Sequence, residues 1–134
     1  MNILTGKIAE IESEGSLSLV KVTVQNCNFT TIVIDTTDSS TYLSRGENVK
    51  VIFKETEVIL SKNLSGIISL QNKMDCTVSH FEIGKLLCKV VLKFQEETII
   101  SVITRNAFEQ LNICGNDEIV AMIKTNEISL SPHD

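Results

Sequence analysis

The sequence has no tryptophan, one tyrosine (Tyr42) and one proline (Pro132), and only 4% of its 134 residues are aromatic. A surface that stacks nucleic-acid bases needs aromatic faces, so single-stranded nucleic acid is not an expected partner. Basic residues are the minority charge, 12 Lys+Arg against 17 Asp+Glu for a net −5. That balance opposes general binding to a phosphate backbone. No stretch approaches the roughly 18 consecutive apolar residues of a membrane helix. The start, Met1 to Lys7, lacks the basic-then-apolar pattern of a secretory signal. Histidine is confined to His80 and His133, and Cys27, Cys76, Cys88 and Cys114 show no CxxC spacing. No metal site is therefore expected. The cysteines read as small buried or half-buried hydrophobes of a reducing cytoplasm. No Ser–His–Asp or Cys–His set and no Walker-type loop is present, so no enzyme is expected.

What is present is an ordinary apolar fraction, 43%, and a sequence written twice. Lys54-Glu55-Thr56-Glu57-Val58-Ile59-Leu60-Ser61 is repeated, at an offset of 70, by Lys124-Thr125-Asn126-Glu127-Ile128-Ser129-Leu130-Ser131. Asn2 to Ile8 aligns with Asn72 to Val78 at the same offset. Between these ends, identities read at 68 (Lys21-Val22 with Lys89-Val90, Thr30 with Thr98, Thr36 with Thr104, Leu43 with Leu111) and at 69 (Gly46 with Gly115). Slips are expected in the surface turns around Gly15 and Gly46. The repeat divides the chain into residues 2–61, a linker 62–71 and residues 72–131.

Each unit alternates as strands do. Val20, Val22 and Val24 form one face, as do Val49, Val51 and Phe53. Ile8, Glu10 and Glu12 fall on one face in strict alternation, with Lys7, Ala9 and Ile11 on the other, and Glu10, Glu12 and Glu14 read as solvated. The β-branched run Phe29 to Ile34 reads as a strand buried on both faces, and Leu86-Leu87-Cys88 as core. Asp35 to Leu43 reads as a turn or short helix capped by side-chain oxygens, and Asn106 to Leu111 as more helical. The expected fold is all-β: two tandem OB-like five-stranded barrels, each with a short helical turn. Units of about 60 residues bury little surface alone, so association with the duplicate or another chain is expected.

Ser69-Leu70-Gln71-Asn72-Lys73-Met74-Asp75-Cys76, Val102-Ile103-Thr104 and Lys124-Thr125-Asn126-Glu127-Ile128-Ser129-Leu130 together resemble the Mop (molbindin) or TOBE family. The family pattern opens Ser-Ala-Arg-Asn-x-Leu-x-Gly, passes a Val-Ile-Thr strand end, and closes Lys-Ala-[Ser/Thr]-x-Val-x-Leu. Asn2-x-Leu4-x-Gly6, Thr36 with Ser39, Leu43, Gly46 and Lys54 to Leu60 follow it in the first unit. The resemblance covers nearly the whole chain. It departs where Ala-Arg is Leu70-Gln71 and Gly is Cys76, where Ala107 aligns with Ser39, and where Ser-Ala-Arg has no counterpart before Asn2.

The resemblance implies binding of molybdate or tungstate, with no organic cofactor, for storage, buffering or sensing in molybdenum homeostasis. Such a tetrahedral dianion needs donors only: N–H groups, hydroxyls, amides and a lysine. Net acidity of the whole chain does not forbid a local donor array. The implied first set is Ser69, the Leu70 N–H, Gln71 or Asn72, with Thr36, Ser39 and Lys54. Thr104 and Lys124 form a poorer second set. Read without the resemblance, Lys54 and Lys124 are solvated lysines at a strand end, and Thr36 and Ser39 are helix caps. Asn2 and Asn72 read as fixing a strand entry, with direct ligation the alternative. The resemblance further implies a homo-oligomer, dimer or trimer, and admits a molybdate or tungstate ABC transporter ATPase or a separate regulator as partner. The alternative is a structural or regulatory TOBE module of such a transporter, with degenerate anion sites. No helix-turn-helix segment precedes the repeats, so DNA-binding regulation is not expected.

Overall fold

The computed structural model describes residues 1–34 and 42–133. The fold is all-β. Among the described residues, ten strands form two five-stranded OB-like sheets, with one α-helix and two short 3-10 turns. The first sheet is built on β1 (Asn2–Glu14), β2 (Leu17–Val24), β3 (Cys27–Val33) and β4 (Asn48–Phe53). The second is built on β6 (Asn72–Ile83), β7 (Leu87–Phe94), β8 (Glu97–Thr104) and β9 (Glu118–Ile123). The closing strands are exchanged. β5 (Ile59–Ser61) pairs with β9, and β10 (Ser129–Pro132) pairs with β4. The sheet orders are therefore β10-β4-β1-β2-β3 and β5-β9-β6-β7-β8. Each repeat lends its last strand to the other sheet.

β1 shows how its sequence builds this shape. Asn2, Leu4, Gly6 and Ile8 point inward while the residues between are exposed. The strand pairs with β4 over its first half and β2 over its second. A bulge between Ile8 and Glu10 breaks the strict alternation. One extra residue flips the face, so Ile11 turns half inward and Glu10 and Glu12 turn out. β6 carries the same bulge between Val78 and His80. Gly6 is needed for close approach: a Cβ there would lie 2.6 Å from Val22 Cγ1 and 2.8 Å from the Thr23 carbonyl.

The repeat keeps one offset, 70, throughout the described residues. Val22 pairs with Phe29 as Leu92 pairs with Ile99. Gln25 and Gln95 hold the same left-handed turn position, at φ 53° and 52°. Buried Leu43 matches buried Ile113, and Gly46 (φ 91°) matches Asn116 (φ 65°). The slips to 68 and 69 are thus absent. A shift of two residues preserves which face a strand residue occupies, so alternating strands align almost equally well two positions out of register.

The core is one continuous apolar cluster spanning both repeats, including Leu4, Phe29, Val51, Met74, Leu92 and Ile123. Phe29 and Phe94 meet across it edge to face, with centroids 6.4 Å apart. Two apolar runs depart from the sequence reading. Ile32 and Ile34 are 39% and 82% exposed: β3 buries only the face that carries Phe29 and Thr31, and Ile34 lies just past its end. Leu86 and Leu87 are also exposed, and only Cys88 of that run enters the core. Cys27 is half-buried and Cys76 and Cys88 are buried, but Cys114 is exposed in the turn before β9.

The expected second helix is α1 (Arg105–Leu111). Thr104 caps it by accepting the Ala107 N–H at 3.1 Å, and Phe108 is its buried anchor. The equivalent turn of the first unit lies largely in 35–41, outside the described residues.

Candidate functional site

The opening and closing motifs meet at the ends of the ladders. The β6/β9 ladder ends with Asn72 opposite Ile123, so Gln71 and Lys124 are the next residues on either side. The β1/β4 ladder ends with Asn2 opposite Phe53, which sets Met1 beside Lys54. Each lysine is exposed, in extended backbone, just before a 3-10 turn: Glu55–Glu57 after Lys54 and Thr125–Glu127 after Lys124. Among the described residues neither lysine is held in an ion pair. The Met1 ammonium pairs instead with Glu55.

Ser69 and Gln71 are exposed and Leu70 is half-buried. The ladder end that this motif enters is the one followed by Lys124. Thr36 and Ser39 lie outside the described residues. Asn72 is fixed to β3. Its carboxamide accepts the Thr30 N–H at 2.7 Å and donates to the Thr30 carbonyl at 2.8 Å. Asn2 makes the same two bonds to Ile100, each 2.8 Å. Both asparagines are buried, with Asn72 fully enclosed. Each side chain imitates a neighbouring strand for the edge it meets.

Two further hydroxyls bind the exchanged segments. Thr31 donates to the Ile128 carbonyl at 2.9 Å, and Ser101 donates to the Val58 carbonyl at 2.9 Å. Thr104 is exposed, and its oxygen accepts the helix-capping bond, which leaves its proton available to an acceptor.

Lys54 borders a depression of 200 Å³ shared with Met1, Glu57, Asn126, Glu127 and Ser129. Asn126 and Ser129 are donors that the motif comparison did not single out; their only signal was membership of the repeated closing segment. Glu57 and Glu127 oppose an anion in that depression. An apolar groove of 490 Å³ lies beside Thr104, lined by Ile59, Leu60, Leu87, Ile103 and Leu111. Among the described residues no group of three or more His, Cys, Asp or Glu is placed to hold a metal. No described helix is long and apolar enough to cross a membrane.

Among the described residues, the titrating groups with displaced pKa values are Asp117, Cys76 and Cys27. The Cys114 N–H, and then Lys62, hold the Asp117 carboxyl below its usual value. Lys62 Nζ reaches Asp117 at 2.9 Å and the Asn112 carbonyl at 2.7 Å, which ties the linker to the turn before β9. Burial pushes the Cys76 thiol up to about 12 and raises that of Cys27.

Residues 68–130 match the family model of the TOBE domain. This stretch contains both the opening and the closing motif. The chain is also similar to a solved structure of ModG, a cytoplasmic molybdate-binding protein, in a PEG-grown form with molybdate bound. The TM-score is 0.93 at 23% identity, covering 98% of this chain and 96% of that one. The two share their fold along their whole length. Comparison with curated proteins finds no match.

Proposed function

We propose that this chain binds molybdate or tungstate in the cytoplasm, without an organic cofactor and without catalysing a reaction. The carrying observation is the end-to-end fold likeness to molybdate-bound ModG. The chemistry of the motif residues supports the reading. Ser69, the Leu70 N–H and Gln71 are donors, and a lysine adds the charge-assisted bond that a dianion favours. Thr36, Ser39 and Thr104 contribute hydroxyls, and Lys54 and Lys124 are the two lysines. Asn72 stands in the same motif, but its buried carboxamide is already engaged by Thr30.

The reading extends to storage, buffering or sensing in molybdenum homeostasis, and to a homo-oligomer, dimer or trimer, with sites between subunits. The apolar groove beside Thr104 and the exposed Leu86, Leu87 and Ile34 suit a subunit contact. A transporter ATPase or a separate regulator is the further partner to test. Calorimetric titration of the protein with molybdate, tungstate and sulfate, combined with its solution mass, tests these points together. Saturable heat with molybdate or tungstate and little with sulfate is expected. No heat, and no rise in melting temperature, replaces this reading with a structural or regulatory TOBE module whose anion sites have decayed. Gln71 in place of the motif arginine is the feature that favours that second reading.

A further inference from the structure

We infer that the open edge of β8, with the apolar groove beside it, is a docking surface for a second copy of this chain. The inference deepens the homo-oligomer proposed above and rests on it. β8 and β5 are the two edges of the second sheet, and the groove of 490 Å³ is lined from both. Asn2 bonds the N–H and the C=O of Ile100 on the side of β8 that faces away from β7. Strand backbone alternates, so Val102, two residues on, turns its own N–H and C=O to that same side. Among the described residues neither group has a hydrogen-bond partner. Val102 also lines the groove, with Leu87, Ile59 and Leu111. An unpaired strand edge set in apolar surface is suited to receive another strand.

The turn that leads into β7 adds the other half of the contact. Ile83, Leu86 and Leu87 are 54%, 76% and 54% exposed. The Leu86 carbonyl accepts the Arg105 N–H at 2.9 Å, which holds this corner against the start of α1. At the offset of 70 the first repeat has Ser13, Ser16 and Leu17 instead, so two of the three apolar side chains belong to the second repeat alone. The surface therefore carries both a groove and, at its rim, leucines that project from it. Val102 likewise offers one donor and one acceptor, which the same edge of another copy returns. A patch that complements itself is what contact between identical chains requires.

The experiment compares the full chain with Leu87→Glu and Leu17→Glu by light scattering over a dilution series, and titrates the wild type with sodium molybdate. Leu17 is the repeat equivalent of Leu87 and is 49% exposed, so the control places the same charge at the matching corner. The wild type should be an oligomer. Its dissociation constant should rise about tenfold or more in Leu87→Glu and less than about twofold in Leu17→Glu. Should Leu87→Glu fail to fold by circular dichroism, Leu87→Gln carries the same comparison. A monomeric wild type, an unchanged assembly in Leu87→Glu, or equal weakening by the two variants overturns docking at β8. Molybdate heat from the wild type in any of those cases leaves the anion-binding reading standing. An oligomer that dissociates as expected but gives no molybdate heat overturns that reading and upholds the docking surface.

Discussion

Ser101 in β8 donates its hydroxyl to the carbonyl of Val58, 2.9 Å away, in the segment that crosses from the other repeat. Both residues are buried. The bond fastens the exchanged chain just before β5. Ser101→Ala leaves the Val58 carbonyl enclosed without a partner, and the expected loss is about 1–3 kcal/mol. Urea denaturation should show a lower midpoint with an unchanged slope.

Gly6 should not tolerate a side chain. An alanine Cβ would meet Val22 Cγ1 at 2.6 Å and the Thr23 carbonyl at 2.8 Å. The carbonyl belongs to a paired strand and cannot yield cheaply. Gly6→Ala should destabilise the protein by about 1–3 kcal/mol, read from the same denaturation curve. The equivalent position of the second unit already holds Cys76, 4% exposed, so Cys76→Ala should be much milder.

Cys76 also makes an alkaline prediction. Its thiol is raised from 9.0 to about 12, chiefly by burial. The native state therefore holds that proton more tightly than the unfolded chain does. The resulting stability is complete below pH about 9 and is lost as pH climbs toward 12, on the order of 4 kcal/mol over the window. Stability measured against pH should fall less steeply above pH 9 in Cys76→Ala than in the wild type. Parallel curves would show that the thiol does not titrate this way.

Lys124→Ala should weaken the site that adjoins Gln71. A charged donor lost from a bound anion costs about 1.5–3 kcal/mol, roughly ten- to a hundredfold in affinity. Lys124 is exposed and, among the described residues, in no ion pair, so the variant's melting temperature should not move. Lys54→Ala combined with Ser39→Ala tests the other set. If only this double variant loses molybdate, the working lysine is Lys54, and the site then needs a second copy of the chain to bring it to Ser69–Gln71.

Much of the fold is legible in local pattern. The valine alternation of β2, the Val49–Val51–Phe53 face of β4 and the helix after Thr104 follow from periods of two and 3.6 and from a capping hydroxyl. The run Phe29–Ile34 misleads because β-branched residues suit a strand whether one face is buried or both. What packs on each face of β3, which decides the exposure of Ile32, is a property of the assembled structure. The bulge at Ile8–Glu10 likewise leaves little trace, since one inserted residue looks like an ordinary lapse in alternation.

The motif residues are legible for a different reason. Repetition marks Lys54 with Lys124, and Asn2 with Asn72, as positions held in common. Composition alone cannot separate a ligand from a clamp. A carboxamide offers one donor group and one acceptor, which suits an anion's oxygens and a strand's backbone equally well on paper. Burial and the paired bonds to Thr30 and Ile100 decide for the backbone.

By itself, then, the sequence determined an all-β chain in two copies, poor in aromatics and metal ligands, with its polar motif residues at the ends of strands. Periodicity and duplication are local or self-referential properties, and they survive without knowledge of what packs against what. Only the tertiary structure decided that the copies exchange their last strands, share one core, and set Asn72 opposite Ile123. Those facts depend on which edge each three- or four-residue closing strand finds. Strands that short hold too few hydrogen bonds to choose a partner on their own, so the choice falls to the sheets they complete.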